Sequence, residues 1–181
     1  MLSKLVFEEA QDRAFTFFEK AGIVLSEKEK ENIEVADFGL NMLNQIGLQI
    51  LVYVNTERCC AKELVLFPYQ TCPEHRHPDI QNVAGKEETF RCRFGTVYLY
   101  VEGSPTEKIS AKIPEGKEKS FTVMHQIILN PGDQYTLAPG ILHWFQAGAE
   151  GAVISEFSTQ SRDELDLFTD PEIKRIPEIE N

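Results

Sequence analysis

Three of the four histidines in this chain stand where they could hold a metal ion. His75-Arg76-His77 is followed by Glu87-Glu88, and His143 comes just after Pro139-Gly140. Side chains alternate between the two faces of a strand, so His75 and His77 project the same way, about 7 Å apart along the chain. Imidazole nitrogen with carboxylate oxygen suits Mn, Fe, Zn, Ni or Cu, and the set is not sulfur-rich. Register separates the two glutamates. On a strand from Lys86 to Cys92, the residues Lys86, Glu88, Phe90 and Cys92 share one face. The apolar pair belongs inside, so Glu88 points in and Glu87 points out. The expected ligands are His75, His77, Glu88 and His143.

Two further residues could move protons. Lys86 shares the face of Glu88, where a bound cation and burial should both lower its pKa and make it a base. The plainer reading is a strand-end lysine that snorkels to water. Glu156 lies in the apolar run Ile154-Ser-Glu-Phe-Ser158, and a carboxylate there is costly unless paired or functional. Its plainer reading is an ion pair with Arg162. Asp133 is expected to be structural. Trp144 and Phe145 should point away from the metal into the core. His125 reads as a satisfied histidine, with a hydrogen bond to substrate left open.

The elements that must position these groups are mostly short β-runs. Gly47–Asn55, Lys62–Tyr69, the His75–His77 segment, Glu87–Phe94, Thr96–Glu102, Thr122–Leu129, Tyr135–Leu137, Ile141–Phe145 and Ala152–Phe157 are rich in β-formers and separated by turn residues. Asn130-Pro-Gly-Asp133 suits a type II turn. Ahead of them, Ser3–Ala21 has helical spacing with Gly22 as its stop, and Ser26-Glu-Lys-Glu29 is a capping box for a short polar helix. Ser104–Lys119 reads as an exposed, solvated loop or hairpin. A short acidic helical turn follows Ser161 and stops at Pro171. The fold class expected is mainly β, a barrel or double-sheet jelly roll.

At 181 residues one domain is expected, with an N-terminal helical arm (1–36), a barrel (47–158) and a C-terminal arm (159–181). The net charge of −11 argues against nucleic acid and anionic membranes as partners. The start is too acidic for a signal peptide, and no stretch is long and apolar enough for a membrane helix. Cys59, Cys60, Cys72 and Cys92 form no CxxC pair, which fits reduced cytoplasmic thiols, with Cys59 and Cys60 packed in the core. An N-terminal arm and edge strands make a homodimer the expected assembly.

The histidine segments resemble the paired motifs of the cupin superfamily. His75, His77, Glu88 and Gly95 match the first, with the Glu-to-Gly gap kept, and Gly132, Pro139, Gly140 and His143 match the second. Ten residues between His77 and Glu88 make an insertion relative to the commonest cupins, and Ala147 replaces the usual closing Asn. The resemblance implies a two-sheet barrel holding a metal inside one end. Gly85-Lys-Glu-Glu-Thr-Phe90, Gly132-Asp-Gln-Tyr135, Pro139-Gly-Ile-Leu-His-Trp-Phe145 and Glu156-Phe-Ser-Thr159 are similar to a narrower family, the cupin-type D-lyxose ketol-isomerases. That likeness spans most of the chain.

What it implies is an Mn²⁺-dependent aldose–ketose isomerase acting on D-lyxose and D-xylulose, with some action on D-mannose and D-fructose. Four protein ligands would leave two positions of an octahedral ion for a bidentate sugar. An enediol route also needs a base near C1–C2 and an acid for the oxygens. Two rivals share the ligand set. A phosphosugar isomerase needs a cationic phosphate site, but Arg91 and Arg93 lie on the face opposite Glu88. An iron dioxygenase would bind Fe²⁺.

Overall fold

Ser3 accepts a hydrogen bond from the Val6 amide and starts helix α1 (Lys4–Lys20), and Gly22, at φ +70°, follows its end. Ser26 and Glu29 close the capping box in both directions, which fixes the one-turn α2 (Glu27–Glu31). This computed structural model describes residues 2–176 and 179–180. Its strands are β1 (Leu2–Ser3), β2 (Glu34–Ala36), β3 (Leu48–Asn55), β4 (Cys60–Leu66), β5 (Thr71–Arg76), β6 (Glu88–Val101), β7 (His125–Leu129), β8 (Gln134–Leu137), β9 (His143–Ser158), β10 (Leu167–Phe168) and β11 (Ile179–Glu180). Apart from the parallel β1–β11 pair, these strands are antiparallel and form the curled barrel expected for a cupin.

Two long strands build the barrel. The half of β9 from Ala152 to Ser158 lies between β4 and the first half of β6, in the layer β2–β3–β4–β9–β6–β8. Its other half, from His143 to Ala147, lies between β5 and the second half of β6, in the layer β10–β5–β9–β6–β7. The breaks expected at Phe94/Thr96 and between Phe145 and Ala152 are therefore bends, not ends. Each pair of expected strands is one strand that crosses from sheet to sheet. The β6–β9 register shifts at Cys92/Phe94 and Gly95/Val97 supply the bend. A Cβ on Gly95, itself at φ +71°, would lie 1.9 Å from the Gly151 carbonyl oxygen, so only glycine lets the two backbones approach this closely.

Inward-facing Ile50, Leu64, Phe90, Leu99, Phe145 and Ile154 fill the barrel. The amphipathic α1 buries Ala14, Phe17 and Phe18 on the outer face of the first layer, against Leu51, Val65 and Val153. A third cluster is centred on Trp144, stacked on Tyr100 at 3.9 Å. Here the sequence reading of Ser104–Lys119 is corrected. The segment is not simply solvated, because Ala111 and its neighbours Ile109 and Ile113 pack on that cluster. The Ala111 amide donates to the Tyr100 hydroxyl, and the Lys112 amide donates to the Gln146 side chain.

Other expectations divide. The Asn130–Asp133 turn forms, with Asp133 accepting from the Asn130 amide, so Asp133 is structural. Strand β7 begins at His125, and Thr122 and Val123 serve instead as partners of Glu74 and Trp144, while the Met124 carbonyl accepts from the Thr106 amide. All four cysteines are free, but Cys59 is exposed because β4 starts only at Cys60. No helix among the described residues is long and apolar enough to cross a membrane.

Candidate metal centre

His75 on β5 and His143 on β9 are direct cross-strand partners in one layer. Glu88 opens β6 in the other layer, and His77 stands just beyond the end of β5. The two layers thus deliver the four side chains to one point between them. The ligand atoms of His75, His77 and His143 all lie within 4.8 Å of one another, and all three residues are buried. Glu88 is 2% exposed, whereas Glu87 is exposed, as alternation along the strand requires.

Hydrogen bonds define which ring nitrogens are free. His75 Nδ1 lies 2.8 Å from the Pro73 carbonyl, His143 Nδ1 lies 3.0 Å from the Ile141 carbonyl, and His77 Nδ1 meets the Asp166 carboxylate. Each partner is an acceptor, so each Nδ1 carries a proton and each Nε2 of a neutral ring presents a lone pair. The lone pairs converge. Glu88 Oε1 is 3.0 Å from both His77 Nε2 and His143 Nε2. The His143 contact is off hydrogen-bond alignment, and that buried nitrogen has no other partner among the described residues. Lone pairs gathered around one point, with an orphaned nitrogen among them, are a donor set that fits a divalent cation of the Mn–Zn row.

Electrostatics agree. Burial and the neighbouring His143 and His77 hold the His75 pKa well below its ordinary value, so that ring is neutral. Burial works against a charge on His77 as well, but Glu88 and the bond to Asp166 raise its pKa to about 9. Burial opposes ionisation of Glu88, yet Lys86 and His77 outweigh it and hold the carboxyl well below the usual carboxylate range.

Beside the histidines lies a buried ion network. Lys86 Nζ is 2.7 Å from Glu88 Oε2, 3.0 Å from Glu156 Oε1 and 3.7 Å from Asp163 Oδ1. Lys62 reaches Asp163 at 2.5 Å and Glu156 at 3.9 Å, and Arg175 joins Asp163 at 3.3 Å and also pairs with Glu34. Three cations face the carboxylates Glu34, Glu88, Glu156, Asp163 and Asp166, an excess of negative charge that a divalent ion offsets. Together with Phe38, Phe90, Phe145 and Phe168, the charged groups of Lys62, Lys86, Glu88, Glu156, Asp163, Asp166 and Arg175 line a tight cavity of about 30 Å³. An outer recess lined by Arg58, Ile80, Val83, Pro139 and Arg162 reaches the same His77, Lys86 and Asp166.

Several expectations change here. Burial lowers the Lys86 pKa, but Glu156, Glu88 and Asp163 outweigh it and raise the value well above that of ordinary lysine. The expected depression does not occur in this setting, because three carboxylates surround the ammonium. Lys86 is 8% exposed, so it does not snorkel to water. Glu156 pairs with Lys86 and Lys62 and not with Arg162, which bonds the Gln160 side chain. Phe145 lies two residues beyond His143 and therefore shares its face, contacting Phe90 and lining the cavity, while Trp144 points away as expected. His125 is satisfied by the Ser104 carbonyl. Arg91 and Arg93 bond Gln134 and Ser155 away from the cavity.

The sequence reading passed over Lys62, Asp163, Asp166, Phe168 and Arg175. Lys62 left a trace, since it shares strand parity with the core residues Leu64 and Leu66, where a lysine is out of place. The others come from the C-terminal arm, whose turn composition carries no sign of the cavity it closes.

The D-lyxose isomerase family profile matches residues 27–181. A "D-lyxose/D-mannose isomerase" of Thermosediminibacter oceani is 62% identical over 181 residues, covering all of both chains. A "D-lyxose ketol-isomerase" of Thermofilum sp. is also 62% identical, covering 99% of each chain, and one of Cohnella laeviribosi is 58% identical over 96% of each. Among solved structures, an Acinetobacter sp. L-ribose isomerase variant with L-ribose superposes with a TM-score of 0.82 at 15% identity, covering 99% of this chain and 98% of that one. The Cellulomonas parahominis L-ribose isomerase gives 0.80 at 16% identity, over 95% and 94%. These two likenesses speak for the fold alone.

Proposed function

Since this chain belongs to the D-lyxose isomerase family, we propose that it interconverts D-lyxose and D-xylulose, and D-mannose and D-fructose, with Mn²⁺ held by His75, His77, Glu88 and His143. One observation carries the metal part. Three buried imidazoles with their Nδ1 positions committed elsewhere bring their ligand atoms within 4.8 Å of one another, and the Nε2 atoms of His77 and His143 meet one oxygen of Glu88 at 3.0 Å, a set of donors that a divalent cation would satisfy.

Bound there, the divalent ion supplies Lewis acidity, polarising the sugar carbonyl and acidifying the adjacent hydroxyl. The chain's own groups handle the protons. Glu156 is the base that takes the proton from C2 of the aldose and returns it to C1. Lys86, held as an ammonium 3.0 Å from Glu156 Oε1, donates to the sugar oxygens while a proton passes from O2 to O1. Lys62 flanks Glu156 from the other side and fixes its carboxylate. The apolar wall of Phe38, Phe90, Phe145 and Phe168 shields the reacting carbons from water.

The charges that line this cavity suit an unphosphorylated sugar. Lys62, Lys86 and Arg175 each face carboxylates already, so among the described residues that line it none of the three is a spare cation for a phosphate. Free thiols support a cytoplasmic enzyme, and the half-exposed Tyr53, Val54 and Phe157 of the first layer support a homodimer.

The test is metal-stripped protein incubated with D-lyxose, with and without Mn²⁺, following D-xylulose. Manganese-dependent product that disappears in His143→Ala is expected. Undiminished turnover after rigorous stripping would overturn the metal role, and no product with metal bound would overturn D-lyxose as substrate.

A further inference from the structure

The three histidines are not held alike. His75 and His143 each give their Nδ1 proton to a main-chain carbonyl two residues back on their own segment. Those partners are neutral and local. His77 gives its proton to Asp166, 89 residues away in the chain. A carboxylate partner makes an imidazole a better donor than a neutral carbonyl does, and it fixes the ring's tautomer and orientation.

The register shows how Asp166 is aimed. The short β10 pairs antiparallel with β5, Leu167 opposite Arg76 and Phe168 opposite His75. One step further, that ladder sets Asp166 opposite His77. The next rung in the other direction is secured too, because the Thr169 amide and hydroxyl bond the Glu74 carbonyl and carboxylate. Behind Asp166, its amide closes the 3₁₀ turn Asp163–Leu165 onto the Asp163 carbonyl. This two-residue strand lends Phe168 to the barrel core and the cavity wall. Its register also fixes one carboxylate against one histidine.

We infer that Asp166 is a positioning residue for the metal centre, setting the donor strength of His77 and through it the hold on the divalent ion. This inference rests on the metal-binding part of the proposed function and not on the identity of the sugar.

The experiment measures Mn²⁺ affinity and the visible spectrum of the Co²⁺-loaded protein for wild type, Asp166→Asn, Asp166→Ala and the exposed neighbour Glu164→Gln. Asp166→Asn keeps the shape and loses the charge. Its Mn²⁺ dissociation constant is expected to rise about 10-fold, that of Asp166→Ala about 10–100-fold, with a shifted Co²⁺ spectrum in both. Glu164→Gln should match wild type. Circular dichroism tells misfolding from weakened binding, and a folded Asp166→Asn suffices for the test. Dissociation constants within twofold of wild type and an unchanged Co²⁺ spectrum in both Asp166 variants would overturn the inference while leaving the metal site standing. Wild-type protein that takes up neither metal would overturn both.

Discussion

Lys62 and Glu156 are cross-strand partners on β4 and β9, and their charged ends lie 3.9 Å apart with both residues under 5% exposed. Each has a nearer partner as well, Lys86 for Glu156 at 3.0 Å and Asp163 for Lys62 at 2.5 Å, so removing one charge unbalances a buried network. Lys62→Met should therefore cost about 3 kcal/mol by urea denaturation. Lys62→Met combined with Glu156→Gln should cost less than the sum of the two single changes. Strict additivity would show that the two charges do not communicate.

Metal binding should be visible in stability. A ligand at 100 times its dissociation constant adds about 2.7 kcal/mol to a protein that binds it only when folded. Saturating Mn²⁺ should raise the melting temperature of wild type and leave that of His75→Ala or His143→Ala where chelator leaves it. An equal rise in those variants would place the binding elsewhere.

His77 predicts a proton count. Its pKa in the metal-free protein is raised to about 9, so the ring is largely protonated at pH 7 and must release that proton to bind a metal. Calorimetric Mn²⁺ titrations in buffers of different ionisation enthalpy should show about one proton released near pH 7, declining to none above about pH 9. The metal-free protein carries the matching stability term. It is full below the ordinary histidine pKa of about 6.5 and is lost as pH rises through about 9. A proton count of zero at pH 7 would contradict this arrangement.

Glu63 lies on the outer face of the first layer. Burial lifts its pKa to about 7, against a smaller opposing effect of the Ser155 hydroxyl and Arg93. The folded state thus holds this proton more tightly than the unfolded chain. Its contribution to stability is full below the usual glutamate value and falls as pH rises from about 4.5 through about 7. Glu63→Gln should remove that slope and gain about 1–3 kcal/mol at pH 8, read from urea midpoints at several pH values. A slope unchanged by the substitution would assign it to another group.

Two glycines should respond unequally to alanine. Gly95→Ala drives a methyl into the Gly151 carbonyl at a positive φ and should cost about 3 kcal/mol or more. Gly132, at φ +97° with nothing within 4 Å of its Cβ position, should lose only about 1 kcal/mol, from backbone strain alone. Similar melting temperatures for the two variants would refute the close-approach argument.

The sequence revealed the residues whose neighbours follow a period. Alternation puts His75 and His77 on one face, and the apolar parity of Phe90 and Cys92 points Glu88 inward. Strand continuity was harder to see. Gly95 and Gly151 look like terminators in a linear pattern, and only the facing strand shows that they bend one long ladder. The Lys86 pKa was misjudged because two of its three carboxylate neighbours, Glu156 and Asp163, arrive from far along the chain. Asp166 was invisible for the same reason. A turn aspartate looks alike in sequence whether it faces water or a histidine.

The arm that carries Asp163, Asp166 and Arg175 follows strands β2 to β9 in the chain and itself supplies β10. A growing polypeptide can thus complete its β6–β9 ladder and enclose all four histidine and glutamate donors before these charges exist. During synthesis, the carboxylate partner of His77 arrives after the ligands themselves do. The nascent barrel would hold Lys62 and Lys86 against Glu156 and Glu88 alone, and the arm then adds Asp163 to both lysines and Arg175 to Glu34.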